Sequence, residues 1–335
     1  MKAIVLDGVH KPLVVKEVKK PTLAANEVLV RIKAAAFNRR DWWIQQGQYA
    51  GLRFPIIPGS DGAGVVEEVG SVSEERWIGQ EVVIYPADDW GDDEQVQDKD
   101  FTILGLPENG TMAEFIKVKV HHLHVIPSHL SFEEAAAFPL AGLTAFRALF
   151  VRAKLKKGDR LLITGAGSGV ATFALKWAVH LGIDVYVTTG SKQKLKKALE
   201  LGARDGALYT DPDWVKQLRQ KGFAGFDVIL DSALGEGFAY LPDLASPGGR
   251  IVFFGGTAGN IPEMNGRKIF WKQLSILGST MGSPRDFKEM MSFVNHHKIK
   301  PVVDCVYPIT QAETALRKMD RSDQFGKIVL RAGNW

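Results

Sequence analysis

A glycine-rich segment is the first feature of the sequence that could do chemistry. In LLITGAGSGVATFALKWA, three glycines stand between a run typical of a buried strand and a run typical of a helix. The backbone N–H groups of such a loop, together with the N-terminus of the following helix, can face a pyrophosphate. A purely structural elbow is the alternative, because the match to G-x-G-x-x-G is imperfect and lacks the last glycine. The strand, loop and helix in register favour a nucleotide site formed by Gly165, Gly167, Ser168, Gly169 and Val170.

The residues after the next strand indicate which dinucleotide this loop would hold. An NAD site places an Asp or Glu about 20 residues further on, against the ribose 2′-hydroxyl. The sequence there is VTTGSKQK, without an acid, and Asp184 stands at the opposite end of that strand. Gly190 permits a turn, Ser191 offers a hydroxyl and Lys194 offers a charge, a set that suits a 2′-phosphate. We therefore predict NADP(H), with Ser191 and Lys194 as ligands. The alternative is a solvated helix face made of Lys192, Lys194, Lys196 and Lys197.

Metal ligands are scarce in this sequence. Cys305 is the one cysteine, which excludes an intramolecular disulfide and every Cys-rich zinc or iron–sulfur site. It stands in the apolar run VVDCV, so we expect an inert thiol. The HHLH cluster at 121–124 has no cysteine partners, and we expect a solvated or structural role for it. The sequence therefore predicts no metal site.

Composition and charge limit the class of protein. The 335 residues are 45% hydrophobic and 24% charged, which suits about two packed domains and excludes a disordered chain. No apolar run is long enough to span a membrane. The formal net charge is +4, from 42 basic and 38 acidic residues, too balanced to make nucleic acid or an anionic membrane a default partner. The first residues carry no apolar signal-peptide core, so we expect a cytoplasmic protein.

The pattern of the chain changes twice. Residues 1–126 contain short strand-like runs separated by turns, and predict a mostly-β domain. Residues 127–281 alternate strand and helix patterns, which predicts an α/β domain with a doubly wound parallel sheet. Residues 282–335 are too short for a third domain, and we expect them to return to the first. Capping boxes predict helix starts at Ser131 and Thr310, and an N-cap serine followed by a first-turn proline predicts one at Ser283.

Several motifs besides the glycine loop are distinctive together: NRRDWWIQQGQY, FPIIPGSDGAGVVEEVG, AAAFPLAGLTAFRAL, GSKQK, FDVILDSA, PGGRIVFFGG and FGKIVL. With them the chain resembles the medium-chain dehydrogenase/reductase superfamily, and most closely its zinc-free, quinone oxidoreductase-like branch. The resemblance runs essentially from end to end. It implies a GroES-like catalytic domain built from both chain ends and a Rossmann domain between them.

The resemblance also bears on metal chemistry. Zinc alcohol dehydrogenases of the superfamily hold the catalytic ion with a Cys, a His and a Cys. The corresponding positions are Asn38, Ser60 and Leu140, which offer neither thiolate nor imidazole. The four-cysteine structural zinc loop is replaced by the acidic stretch 88–100, which we expect to be a surface loop. A zinc alcohol dehydrogenase is therefore disfavoured.

Without a Lewis acid, a substrate with an already electrophilic carbon is favoured. Hydride transfer to a quinone or to the β-carbon of an enone leaves negative charge on an oxygen that hydrogen-bond donors stabilise. The candidates are Asn38, Arg39, Asp41 and Tyr49. Tyr49 is the candidate donor, although it could instead be a tyrosine that shapes the pocket rim. Asn38 matches a family position near the nicotinamide and can orient the ring or the substrate. Asp41 is expected to cap local backbone or pair with an arginine, and Asp61 to have a structural turn role.

Further contacts to the cofactor follow from strand ends and from the resemblance. Gly255, Gly256 and Thr257 follow the strand RIVFF at its carboxyl end, where open α/β sheets bind ligands, and we expect them beside the nicotinamide half. The resemblance implies that Tyr209 lies near the adenosine 2′-phosphate and that Thr144 faces the cofactor, with core packing as the alternative for Thr144. Lys327 is expected to close over the cofactor.

The expected function is an NADPH-dependent oxidoreductase that reduces quinones or α,β-unsaturated carbonyls. Two alternatives stay open: an NADPH-binding or RNA-binding protein with weak or no catalysis, and an enoyl-thioester reductase, for which no basic groove is evident. The expected assembly is a homodimer joined through LSILGST, since an unpaired edge strand seeks a partner and the resemblance implies the same.

Overall fold

The computed structural model describes residues 1–221, 223–333 and 335. The strands, in chain order, are β1 (Lys2–Val5), β2 (Val14–Glu17), β3 (Glu27–Ala36), β4 (Asp61–Val69), β5 (Glu81–Ile84), β6 (Ala87–Asp88), β7 (Thr102–Ile103), β8 (Phe115–Lys119), β9 (Leu123–Val125), β10 (Arg160–Ile163), β11 (Asp184–Thr189), β12 (Asp205–Leu208), β13 (Phe226–Asp231), β14 (Ala245–Phe253), β15 (Ser275–Gly278), β16 (Val303–Pro308) and β17 (Lys327–Arg331).

The α-helices are α1 (Arg39–Gln45), α2 (Phe132–Ala137), α3 (Pro139–Phe146), α4 (Gly169–His180), α5 (Lys192–Glu200), α6 (Trp214–Arg219), α7 (Leu241–Leu244), α8 (Gly266–Trp271), α9 (Pro284–His297) and α10 (Ala312–Asp320). Short 3₁₀ turns cover Val72–Trp77, Val120–His122, Glu236–Tyr240 and Ile309–Gln311, and a π-helical turn covers Arg147–Arg152. Within the described part of the chain, no helix has the length and apolar character needed to cross a bilayer.

The chain forms two compact units, residues 1–141 with 283–335 and residues 142–282. The sequence places the first boundary at 126/127 instead. The difference arises because α2 packs against β3, β4 and β17 of the first unit, so the stretch between the two positions stays with that unit. The second boundary lies one residue from its expected position.

The first unit is built on a mostly antiparallel sheet in the order β16-β17-β3-β4-β5-β9, with β8 also paired to β3. The C-terminal strand β17 runs antiparallel to β3, with Leu330 opposite Ala35, and its apolar residues enter the same core as those of β3. The last segment of the chain therefore returns to the first unit, as the sequence predicts.

The second unit contains a six-stranded sheet in the order β12-β11-β10-β13-β14-β15, with every neighbouring pair parallel. This is the doubly wound order in which the first strand lies beside the second and the fourth. The central strands are buried apolar runs, as a sheet covered on both faces requires. The predicted α/β class with a doubly wound parallel sheet is confirmed.

Two of the three predicted helix starts are confirmed. Ser131 accepts from the Glu134 N–H at the start of α2, and Ser283 accepts from the Asp286 N–H at the start of α9. The third prediction, at Thr310, was wrong. There the chain makes a 3₁₀ turn, and α10 begins after Gln311 without a side-chain cap.

Candidate functional site

The glycine loop joins β10 to α4 in a conformation that needs glycine. Gly165 has φ +66° and Gly167 has φ +126°, both in the region that residues with a Cβ rarely adopt. The Ala166 N–H donates to the Thr188 carbonyl over 2.8 Å, which ties the loop to β11. The loop is therefore held in place at the carboxyl end of the central strands.

Ser168 caps helix α4. Its Oγ accepts from the Ala171 N–H over 3.2 Å, and the first turn of α4 carries no acidic residue. The N–H groups of Gly169 and Val170 have no partner within the helix, because a helix leaves its first donors unpaired. Ala171, in the first turn of α4, is 3% exposed and small enough to pack against the sheet. Loop and helix together suit the pyrophosphate of a dinucleotide.

The turn between β11 and α5 gathers the predicted phosphate ligands. Ser191 caps α5, and its Oγ accepts from the Lys194 N–H over 3.2 Å, which leaves the hydroxyl hydrogen able to bind an anion. The first turn of α5 contains Lys192 and Lys194 and no acidic residue. A positive helix end with a lysine beside it attracts negative charge.

Tyr209 lies over the same turn. Its N–H donates to the Thr189 carbonyl over 3.1 Å, which places its ring beside Gly190. A Cβ at Gly190 would lie 2.5 Å from the Tyr209 hydroxyl, so a side chain there would collide with the ring. The structure therefore brings Tyr209 and Ser191 to one turn, although they are far apart in sequence.

The carboxyl ends of β10, β13 and β14 carry a further set of residues. The Thr164 hydroxyl donates to Asp231 over 2.5 Å, and the other carboxylate oxygen of Asp231 accepts from the backbone of the next turn. Asp231 therefore joins the ends of β10 and β13, a role that sequence reasoning missed. A Cβ at Gly255 would lie 2.9 Å from the Ser232 carbonyl, so the backbone of that turn comes close to the start of the segment 255–257. Thr144 is buried within α3.

In the first unit, a buried cluster surrounds Asp61. The Lys327 ammonium donates to the carbonyl of Phe37 over 2.8 Å, to Asn38 Oδ1 over 2.7 Å and to Asp61 Oδ2 over 2.9 Å. The amide of Asn38 also donates to Asp61 Oδ2 over 2.9 Å, and the N–H of Leu140 donates to Asp61 Oδ1 over 2.8 Å. Asp61 is fully buried and Lys327 is 3% exposed.

These contacts use the three hydrogens of the Lys327 ammonium on protein oxygens. Its expected role as a cofactor ligand stays a prediction, and the geometry gives its charge a different partner, Asp61. Asn38 keeps one amide hydrogen beyond its bond to Asp61. No local signal could have paired Lys327 with Asp61, because 266 residues separate them.

Asp41 stabilises the start of helix α1. One carboxylate oxygen accepts from the Asn38 N–H over 2.8 Å, and the other accepts from the Gly59 N–H over 3.3 Å. Burial raises the pKa of Asp41 above its ordinary value, in spite of the neighbouring Arg40. The expectation that Asp41 caps local backbone is confirmed.

Arg40 holds Tyr49. Its Nε donates to the Tyr49 hydroxyl over 3.3 Å, and its guanidinium carbon lies 5.0 Å from the centre of the Tyr49 ring. Arg40 is itself fixed by bonds to the Ser60 hydroxyl and to the carbonyls of Leu104 and Leu106. Because the Tyr49 oxygen accepts from Arg40, its own hydrogen is left to be donated. Sequence reasoning named Arg39 and missed Arg40, since NRRD gives no reason to choose one arginine over the other; Arg39 bonds to the Ser322 hydroxyl instead.

Comparison with known proteins covers nearly the whole chain. The family model described as "Alcohol dehydrogenase GroES-like domain" matches residues 24–128, and the model described as "Zinc-binding dehydrogenase" matches residues 169–296. The zinc-type alcohol dehydrogenase-like protein YogA of Leptosphaeria maculans is 35% identical, across 96% of this chain and 95% of that protein. The quinone oxidoreductase of Mus musculus is 28% identical, across 94% of this chain and 92% of that protein.

A solved structure agrees with these matches. The crystal structure of an NAD-dependent alcohol dehydrogenase aligns with a TM-score of 0.91 and 36% identity, over 99% of this chain and all of that one. The chain is therefore similar in sequence to proteins named as alcohol dehydrogenases and to proteins named as quinone oxidoreductases. Its fold is similar to that of an alcohol dehydrogenase.

The names of some relatives raise the question of whether a catalytic zinc ion fits here. At the positions where the resemblance places the metal ligands, Ser60 Oγ is bonded to Arg40 and to the Leu104 carbonyl, and Leu140 is aliphatic. The Asp61 carboxylate is paired with the ammonium of Lys327, whose charge would repel a second cation. Neither a thiolate nor an imidazole is offered at these positions. These residues do not fit a catalytic zinc ion.

Proposed function

Because the chain belongs to the medium-chain dehydrogenase/reductase superfamily, we propose that this oxidoreductase is a zinc-independent, NADPH-dependent reductase of quinones and α,β-unsaturated carbonyls. The observation that carries the proposal is the buried contact of Lys327 with Asp61 and Asn38. An ammonium ion held there by a carboxylate leaves no ligand set for a Lewis acid. A substrate that needs no metal to become electrophilic is therefore favoured.

The preference for NADPH is supported by the turn between β11 and α5. A hydroxyl, a lysine, a helix N-terminus and the Tyr209 phenol meet there without the carboxylate that would bind an NAD ribose. A carboxylate would repel a 2′-phosphate, whereas this set attracts one. One relative is named as NAD-dependent, so the preference rests on this chain's own residues.

The remaining dinucleotide contacts follow from the same sheet edge. The glycine loop and the first N–H groups of α4 bind the pyrophosphate, and the segment 255–257 with Thr144 contacts the nicotinamide half. When bound, NADPH supplies the hydride. The protein supplies the orientation of the ring and the exclusion of water around it.

Asn38 and Tyr49 are the two residues that act on the substrate or the nicotinamide ring in this proposal. Hydride addition to the β-carbon of an enone, or to a quinone, places negative charge on the carbonyl oxygen. The Tyr49 hydroxyl donates a hydrogen bond to that oxygen, while Arg40 holds the phenol from the other side. A proton from solvent then completes the saturated carbonyl or the hydroquinone. The free amide hydrogen of Asn38 orients the ring or the substrate.

The test is a comparison of substrates with one enzyme preparation. Steady-state oxidation of NADPH is measured with 9,10-phenanthrenequinone, with 2-alkenals and with crotonyl-coenzyme A, and oxidation of saturated primary alcohols is measured in the reverse direction. Turnover of quinones or alkenals that survives chelator treatment is expected. Efficient alcohol oxidation lost on chelation would contradict the proposal, and binding of NADPH without turnover of any acceptor would favour a binding protein.

A homodimer is part of the same proposal. Strand β15 pairs with β14 along one edge and ends the described sheet on the other. Phe270 and Trp271, at the end of α8 just before this strand, are 67% and 82% exposed. An unpaired edge beside exposed aromatic rings favours pairing with a second copy.

A further inference from the structure

His122 is buried without a hydrogen bond. Its side chain is 2% exposed, and neither ring nitrogen has a partner within hydrogen-bond distance among the described residues. Buried polar groups in folded proteins almost always have a partner, because leaving one unpaired costs about 1–3 kcal/mol. The 3₁₀ turn Val120–His122 therefore holds an imidazole whose lone pair is available to a ligand.

Two other potential ligands lie beside this imidazole. Asp88, at the end of β6, places Oδ1 3.6 Å from His122 Nε2. His121 is adjacent in the turn, and one ligand atom from each of the three side chains lies within 4.8 Å of the others. In a tetrahedral zinc site with bonds of about 2.0–2.1 Å, neighbouring ligand atoms are about 3.4 Å apart. The 3.6 Å between Asp88 Oδ1 and His122 Nε2 is already close to this separation.

The surrounding charges favour a cation. Lys119 bonds to Asp88 Oδ2 over 2.7 Å and lies 3.5 Å from Asp89, so it leaves Oδ1 facing the histidines. The carboxylates of Asp88 and Asp89 outnumber the one ammonium in this group. His121 is exposed, which opens a path from solvent.

We propose that Asp88, His121 and His122 bind one divalent transition-metal ion of the Zn²⁺ class. Two imidazoles and a carboxylate are a ligand set typical of zinc, and water would complete the coordination. The ion would join β6, from which the acidic stretch 88–100 departs, to the turn before β9. The site differs from the catalytic position excluded above, and it departs from the expectation that HHLH has no metal.

His124 stays outside this site. Its ring packs edge-on against Phe287 with centroids 4.7 Å apart. Only two of the three histidines in the motif therefore contribute, which is the reason that the sequence spacing alone gave no metal pattern.

The test is metal binding by the full-length, tag-free chain after chelator treatment. Calorimetry with Zn²⁺ is expected to show one saturable site, and Co²⁺ is expected to give the visible absorption of tetrahedral coordination. His121→Gln and Asp88→Asn should each weaken Zn²⁺ binding at least about tenfold. His121 is exposed and Asp88 lies at a loop margin, so both variants should fold, as circular dichroism checks.

The control is the other histidine pair. His296 and His297 also meet edge-to-face, with centroids 4.6 Å apart, at the end of α9, but they are outside the group of three potential ligands. The double variant His296→Gln with His297→Gln should bind Zn²⁺ as the unchanged protein does. Absence of a saturable site, or equal loss in this control and in His121→Gln, overturns the proposal. Neither outcome depends on the enzymatic reaction.

Discussion

At the scale of single residues, the ammonium of Lys327 determines what can bind to the Asp61 carboxylate. An unpaired buried carboxylate is costly, whereas a carboxylate with an ammonium and two N–H donors is satisfied. Asp61 has this full set of partners, from Lys327, Asn38 and Leu140. The cluster therefore fixes the Asn38 amide in one orientation and excludes a second cation.

Replacement of Lys327 by Met should destabilise the folded protein. Asp61 would stay buried without its counter-ion, so the free energy of unfolding in urea should fall by about 3–5 kcal/mol. Adding Asp61→Asn should recover part of the loss, since an amide can exchange hydrogen bonds with Asn38 and carries no charge.

The matched control for this prediction is Lys20→Met. Lys20 pairs with Glu68 at the surface, where both side chains are about half exposed, and such pairs contribute about 0–1 kcal/mol. Equal destabilisation by Lys20→Met and Lys327→Met would show that the buried ion pair contributes no more to the free energy of unfolding than a surface pair does.

Replacement of Tyr49 by Phe should slow the reaction without changing cofactor binding. The variant removes one hydroxyl that would stabilise the developing oxyanion, and a donor of this kind contributes about 10²–10³ in rate. We expect kcat with 9,10-phenanthrenequinone to fall by about a hundredfold or more, with an unchanged Kd for NADPH. Tyr240→Phe, which removes an exposed phenol in the second unit, is the control. Full activity of the Tyr49 variant would remove Tyr49 from the mechanism.

At the scale of elements, local signals predicted the helix starts at Ser131 and Ser283, and they predicted that strands and helices alternate in the second unit. Ser131 and Ser283 form their capping boxes because both partners of each box lie within one turn. The box at Thr310 failed because Glu313 has partners elsewhere: its carboxylate accepts from the Leu13 N–H and from Gln45. A contact across 300 residues has no local signature, so tertiary structure decided this helix start.

The residues of the candidate site also fall into two groups, those that local sequence signals predicted and those that depend on tertiary contacts. The glycine loop and the Ser191 turn were found from sequence, because strand, turn and helix follow each other directly. Arg40, Asp231 and the pairing of Lys327 with Asp61 were not found, since each depends on chains brought together by the sheets. The Asp88–His122 contact was missed for the same reason, because 33 residues of loop and strand lie between them.

Reversing one charge at the N-terminus of α5 should change cofactor preference. Lys194→Glu places a carboxylate where the 2′-phosphate is expected, so NADPH affinity should fall by about a hundredfold or more while NADH affinity changes little. Calorimetry with both dinucleotides measures this difference. Lys196→Glu makes the same change on an 80% exposed residue of the same helix and should have a small effect on both. Equal losses for NADPH and NADH in the Lys194 variant would place the phosphate elsewhere.

At the scale of the whole molecule, the two sheets differ in how their edge strands are arranged. In the first unit, β17 from the end of the chain lies between β3 and β16, so distant segments complete one sheet. In the second unit, β15 ends the described sheet with one edge unpaired. A free edge either associates with another strand or must be protected from doing so. The aromatic side chains just before β15 are exposed, which favours association.

The substitution Gly278→Pro should separate the two copies of the proposed dimer without unfolding either one. The Ser279 N–H donates inward to the Phe253 carbonyl over 2.9 Å, so by alternation the Gly278 N–H points to the free edge. Proline there removes an outward donor and leaves the pairing with β14 intact, as edge strands tolerate. Light scattering coupled to size exclusion should give the mass of one 36.9 kDa chain for the variant and twice that mass for the unchanged protein. The melting temperature of the variant should be lower, because the interface no longer stabilises the folded chain. A single cooperative melting transition would show that the monomer keeps its fold. A dimer that persists with proline at this position would mean that the copies meet through another surface.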